Sequence, residues 1–170
     1  MYFRLVSQCI TGLKRLDHQL DKAEELAKAK KFDVQILLGS RLAPDMKIFS
    51  YQVQSACDYV KAAAGWLSGQ HPPKHQDDEI TLDDIRARIR KTIEFVESIT
   101  EEQYVGAQDR QVKLSWQPGK VIFGADYLTQ VTVPNVYFHL AMAYAILRHN
   151  GVDIGKMDFL GPMNLVDART

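Results

Sequence analysis

The stretch Val133-Pro134-Asn135-Val136-Tyr137-Phe138-His139-Leu140-Ala141-Met142-Ala143-Tyr144-Ala145-Ile146-Leu147 decides how this chain folds. Val136, Leu140, Ala143 and Leu147 recur at helical spacing, and Phe138, Met142, Ala145 and Ile146 occupy much of the remaining circumference. A helix that is apolar nearly all round is buried on most sides, so other helices must surround it. Pro134 suits its first turn, and Arg148-His149-Asn150-Gly151 closes it with cations and a glycine placed for the left-handed cap. Asn135 and His139 are set into this helix four residues apart, on one face that Met142 and Ile146 continue. A polar pair on a buried helix needs a protein partner, a water, a metal or a ligand.

Three further apolar stripes lie upstream. Leu5, Cys9, Leu13, Leu16, Leu20 and Ala23 predict a helix from residue 1 to about 30. Gly39 breaks the pattern, and Pro44 is expected to open a second helix from about Asp45 to Leu67, striped by Phe49, Val53, Ala56, Val60, Ala63 and Leu67 and ended by Gly69. A polar segment with Pro72 and Pro73 follows, which is neither helix nor central strand. Thr81 then reads as an N-cap with Asp83 and Asp84 in the first turn, and Leu82, Ile85, Ile89, Thr92, Val96 and Ile99 mark the apolar face. Arg86, Arg88, Arg90 and Lys91 lie largely off that stripe and are expected on the solvated side, with Glu94 and Glu97 near enough to pair with some of them.

From Thr100 to Val133 the helical period is lost. Val112, Leu114 and Trp116 alternate with polar residues ahead of Gln117-Pro118-Gly119-Lys120, and Val121 and Phe123 come after. Pro then Gly at the centre of a turn is type II chemistry, so a short hairpin is expected. A connection this long is usually functional or covers something. The expected architecture is all-α, a four-helix bundle with a β-hairpin inserted between helices 3 and 4, in a single domain over residues 1–170.

Composition limits the functions available. The 170 residues carry 21 Lys and Arg against 21 Asp and Glu, with a pI near 7.0. Zero formal charge argues against nucleic-acid or anionic-membrane partners, whose affinity rests on basic surface. No run of 18 apolar residues occurs. The N-terminus lacks a basic region ahead of a continuous apolar core, so no secretory signal is expected. Cys9 and Cys57 make neither a disulfide framework nor a metal spacing, in keeping with a cytoplasmic, reducing location. Nucleotide-binding glycine motifs, the serine-hydrolase elbow and the zinc-protease motif are all missing.

Leu42-Ala43-Pro44-Asp45-Met46, Tyr51-Gln52-Val53, Val133-Pro134-Asn135-Val136-Tyr137-Phe138-His139, Leu147-Arg148-His149-Asn150-Gly151 and Asp158-Phe159-Leu160-Gly161 resemble a branch of the DinB-like superfamily known as a domain of unknown function. The resemblance covers nearly the whole chain. It implies a four-helix bundle, commonly homodimeric, in a superfamily described in terms of metalloenzymes. Its metal-binding members take one histidine from the second helix and two, spaced H-x-x-x-H, from the fourth, around nickel or zinc.

This chain matches that pattern at His139 alone. Asn135 stands where the first histidine of the pair would be, and no histidine lies between residues 45 and 69. Gln52, then Tyr51 or Asp45, are the residues of the second helix that can face the same space. Amide oxygens are poor ligands for a borderline metal, so no resident metal or other cofactor is expected, nickel and zinc included. The candidate ligand-binding residues are therefore His139, Asn135, Gln52, Tyr51 and Asp45.

Other groups have plainer readings. Pro72 and Pro73 prevent His71 and His75 from sharing a helical face, His18 is off its stripe, His149 suits a helix C-terminus, and Cys57 reads as inert packing. Two functions stay open: a small-molecule-binding protein or enzyme with a polar site between helices 2 and 4, or a non-catalytic dimeric bundle whose polar residues only fix helix register. The homodimer follows from the resemblance and from Trp66, Trp116, Phe123, Tyr127 and Phe159, too many large aromatics for a bundle this small to bury.

Overall fold

The computed structural model describes residues 1–168. Four long helices carry the core: α1 (Tyr2–Lys30), α2 (Phe49–Ser68), α3 (Leu82–Glu97) and α5 (Val133–His149). They form a square in which α2 and α1 each pack against both α3 and α5. Leu13, Leu16 and Leu20 of α1, Phe49, Val53 and Leu67 of α2, Ile85 and Ile89 of α3 and Val136, Ala143 and Leu147 of α5 meet inside, all essentially shielded from solvent. The stripes read from spacing are thus the faces that pack. The four-helix bundle expected of a DinB-like chain is the observed fold.

Element boundaries follow local chemistry. The Thr81 hydroxyl accepts from the Asp84 N–H at 3.1 Å while the Asp84 carboxylate accepts from the Thr81 N–H at 2.9 Å, a reciprocal cap that starts α3. The second helix starts later than expected. Pro44 and Asp45 sit in a turn closed by the Met46 N–H on the Ala43 carbonyl, and α2 begins only at Phe49, with a short 3₁₀ helix, Val34–Gly39, upstream. Proline at a first helical position and proline inside a turn have the same local signature, and here the turn wins.

The segment between α3 and α5 closes one end of the bundle. The predicted hairpin is present, with β1 (Gln111–Lys113) antiparallel to β2 (Val121–Phe123) and Val112 opposite Ile122. Gly119 takes φ of 83°, as the Pro-Gly turn requires. Arg110 donates to the carbonyls of Leu67, Gln103 and Val105, placing its cation at the C-terminal end of α2, where the helix dipole favours it. Tyr104, Ala107, Val112 and Leu128 from this segment are buried.

The last long helix does not begin at Pro134. Helical backbone starts at Gly124 with a single turn, α4 (Gly124–Asp126), widens into a π-helical segment over Tyr127–Thr132, and runs straight into α5. Proline inside a continuous helix lacks a donor and crowds the preceding turn, and the widened turn stands immediately ahead of it. After α5 a short helix, α6 (Lys156–Leu160), folds back on α1. The Lys22–Asp158 ion pair at 2.7 Å, the Gln19 amide on the Asp158 carbonyl at 3.3 Å and the edge contact of Phe159 with Tyr144 hold it there.

Candidate functional site between α2 and α5

His139 projects from α5 toward α2 and is 8% exposed. Its Nδ1 lies 2.8 Å from Gln52 Oε1. The Gln52 amide nitrogen donates to the Lys47 carbonyl at 3.1 Å, which turns Oε1 toward the ring. A carbonyl oxygen only accepts, so Nδ1 must carry the proton, and the Nε2 lone pair is left with no protein hydrogen bond among the described residues. Turning the amide over would set two acceptors, the Gln52 oxygen and the Lys47 carbonyl, against each other.

Aromatic rings wall the imidazole. Tyr59 stacks on it with centroids 5.8 Å apart and planes 19° from parallel, while Tyr51 and Phe138 meet it edge-on at 6.1 and 5.2 Å. Burial among these groups pushes the His139 pKa below its ordinary value, so the neutral ring is the favoured state. Burial raises the Tyr59 phenol, and raises the Tyr127 phenol to about 12, so both are protonated at neutral pH. Tyr59 and Tyr127 also line a cleft of about 370 Å³ with Asp58, Trp66, Leu114 and Trp116. His139 is not itself a wall of that cleft; Tyr59 separates the two.

The other candidate residues divide. Tyr51 joins the ring cluster at 39% exposure, its own ring covered by the Lys47 ammonium at 4.9 Å. Asn135 is half-buried and donates to the Val131 carbonyl at 2.6 Å, which turns its amide back along its own helix. Asp45 is exposed in the turn ahead of α2, makes no hydrogen bond to His139 or Gln52, and is not on the second helix as expected. Tyr59 was not singled out from the sequence. Its spacing of seven from Gln52, two helical turns along one face, is the signal that identifies it.

The donors present do not suit a tightly held nickel or zinc ion. Gln52 oxygen and His139 Nδ1 are committed to each other and the Asn135 amide nitrogen to Val131, so His139 Nε2 is the one strong donor at this place. Among the described residues no three His, Cys, Asp or Glu side chains come together as a metal set. Cys9 and Cys57 are buried, their thiols pushed up to about 12 by burial, which leaves them packing groups.

A second polar cluster lies where the sequence pattern predicts a solvated helix face. Arg88, expected in solvent, is 2% exposed and donates to Asp58 and Glu79 at 2.9 Å and to the Gln76 carbonyl at 2.8 Å, with the Asp77 carboxylate 3.0 Å away as a third ion-pair partner. Arg86 likewise meets Asp17, Asp21 and Glu24 of α1, and neither uses Glu94 or Glu97. The nearer His75 is half-buried, with Nδ1 unbonded, and burial and the Lys61 and Arg88 charges lower its pKa.

A family model described as domain of unknown function (DUF1993) matches residues 1–160. The chain is similar to a solved structure, a DinB family member from Shewanella denitrificans, at 40% identity and a TM-score of 0.93, over 98% of this chain and 95% of that one. The sequence matches no curated protein.

Proposed function

The chain belongs to the DUF1993 family and is a DinB-like four-helix bundle, and from that premise we propose that it is a small-molecule-binding protein or enzyme whose polar site lies between α2 and α5. One observation supports this reading above the others: the 2.8 Å contact of His139 with Gln52 fixes the ring as the Nδ1–H form and leaves Nε2 as an acceptor. A neutral imidazole with a free lone pair takes a hydrogen bond or a proton from a ligand, which is the requirement for binding a donor group or for general-base chemistry. Tyr51, Tyr59 and Phe138 supply apolar surface for the rest of such a ligand. Nickel and zinc are not part of the proposed site, because one imidazole does not hold them.

The test is a thermal-shift screen of small thiols and of nickel and zinc salts, run on the wild type and on His139→Ala. A ligand that binds only the folded state raises the melting temperature. A thiol S–H can be given to the open Nε2 acceptor, so the reading expects a thiol-dependent rise that His139→Ala abolishes, with no stoichiometric metal uptake. Silence in the screen, with Gln52→Leu leaving stability unchanged, would establish the alternative, a non-catalytic bundle with a degenerate metal site. That alternative draws on the Asn135 amide, which is satisfied within its own helix.

The assembly we propose is a homodimer. Trp116, Val121 and Phe123 of the hairpin region are 55%, 45% and 50% exposed, large apolar groups within one short segment that a second copy would cover. Of the other aromatics considered, Tyr127 is buried and Trp66 and Phe159 are partly so. No helix among the described residues is long and apolar enough to cross a membrane. A cytoplasmic location is the proposal that two free, buried thiols support.

A further inference from the structure

On the opposite side of α5 from His139, a cavity of about 240 Å³ lies between α1, α5 and α6. Its walls are Leu16, Leu140, Phe159 and Leu160, with the polar groups of Arg15, Gln19 and Tyr137 set among them. Arg15 is the unusual member. Arg86 and Arg88 each meet three carboxylates and Arg110 reaches three backbone carbonyls. Half-buried Arg15 makes no ion pair among the described residues, and its one hydrogen bond, to the Phe159 carbonyl, is 3.4 Å long. A guanidinium presents five donors, so most of its capacity is unused.

Tyr137 adds a second donor. The Gln8 amide donates to the Tyr137 oxygen at 2.8 Å, so that oxygen is already an acceptor and its own proton has no protein acceptor among the described residues. Arg15 and Tyr137 both line this cavity, so the two donors serve the same space. A cation without an anion, beside a free hydroxyl proton and enclosed by leucine and phenylalanine, complements a molecule with one negative end and an apolar body. At about 30 Å³ for each water-sized group the space holds about eight of them.

We infer that the cavity under α6 is a binding site for a small monocarboxylate, its carboxylate on Arg15 and Tyr137 and its apolar body against Leu16, Leu140 and Phe159. The site shares no residue with the His139 cluster and does not depend on the function proposed for it. The C-terminal helix is part of the site, because Phe159 and Leu160 form its outer wall and Asp158 ties them to α1 through Lys22.

The experiment is a titration of the full chain with benzoate and with hexanoate, followed by methyl resonances of Leu16, Leu140 and Leu160, with benzamide and hexanamide as neutral controls. At least one acid is expected to give saturable shifts of these methyls with a dissociation constant of about 1 mM or lower. The matching amide is expected to bind about tenfold or more weakly, and Arg15→Gln to lose a similar factor, since a charge-assisted pair is lost in both. Tyr137→Phe should weaken binding several-fold. Arg15→Lys, which keeps the charge but not the fork, should retain part of the affinity and shows that loss in Arg15→Gln is not unfolding. Shifts that do not saturate by about 10 mM acid, equal binding of acid and amide, or unchanged binding in Arg15→Gln would each overturn the inference.

Discussion

The two nitrogens of His139 face different tasks: Nδ1 is spent on Gln52, and Nε2 is open. Burial lowers the pKa of this ring from its ordinary 6.5, so between the folded-state value and 6.5 the unfolded chain binds more protons than the native one. Stability therefore rises with pH through that window, is fully present above it, and is lost as pH falls below 6.5. His75 acts in the same direction. Urea melts at a series of pH values should show the His139→Gln variant with a flatter acid limb than the wild type; an unchanged slope would mean that His139 is not buried neutral. Arg88 gives a second prediction. Its guanidinium is 2% exposed between Asp58 and the nearly buried Glu79 carboxylate, and removing one partner of a buried pair leaves charge uncompensated. Arg88→Ala should cost about 3–5 kcal/mol in urea denaturation. Arg86→Ala, whose carboxylates are 32–56% exposed, should cost about 1 kcal/mol per pair or less. The distinction was not legible in the sequence, where both arginines flank the same apolar stripe. Arg88 is buried because α2 and the Asp77 to Glu79 segment bring acids to it, and those contacts span up to 30 residues of chain.

Helices whose ends are fixed by local chemistry were the legible elements. The Thr81 cap of α3 and the Gly69 end of α2 are where residue types put them, because the deciding bonds lie within four residues. The start of α2 and the start of the last helical run were not. Each depends on which of two local conformations the rest of the fold selects: a turn at Pro44, and a π segment ahead of Pro134. Gly124, where that run begins, is held by packing at a distance. A Cβ there would collide with the Ala107 carbonyl and come within 2.8 Å of Leu67 Cδ2. Gly124→Ala should therefore destabilise the protein by about 1–3 kcal/mol or more, measured by urea denaturation, as overpacked cores do. Wild-type stability in that variant would show that the α4 turn is free to move away from Ala107.

At the scale of the whole molecule the square bundle was readable because four stripes of helical period admit few other arrangements. The short C-terminal helix α6 was not, since five residues carry no period. Of the candidate site, the nearness of Gln52 and His139 was legible from spacing and resemblance, whereas the orientation of the Asn135 amide and the stacking of Tyr59 depend on side-chain geometry that spacing does not encode. Between α2 and α5 the bundle presents one neutral imidazole, held by Gln52 with Nε2 open. Long-range ¹H–¹⁵N correlation spectra of the His139 ring across pH test it most directly. The Nδ1–H tautomer is expected at pH 7, with two ring nitrogens of widely separated shift and a titration midpoint below 6.5. An Nε2–H tautomer, or an imidazolium at pH 7, would contradict it, because either would mean that the Gln52 oxygen does not hold Nδ1 and that no free acceptor faces a ligand.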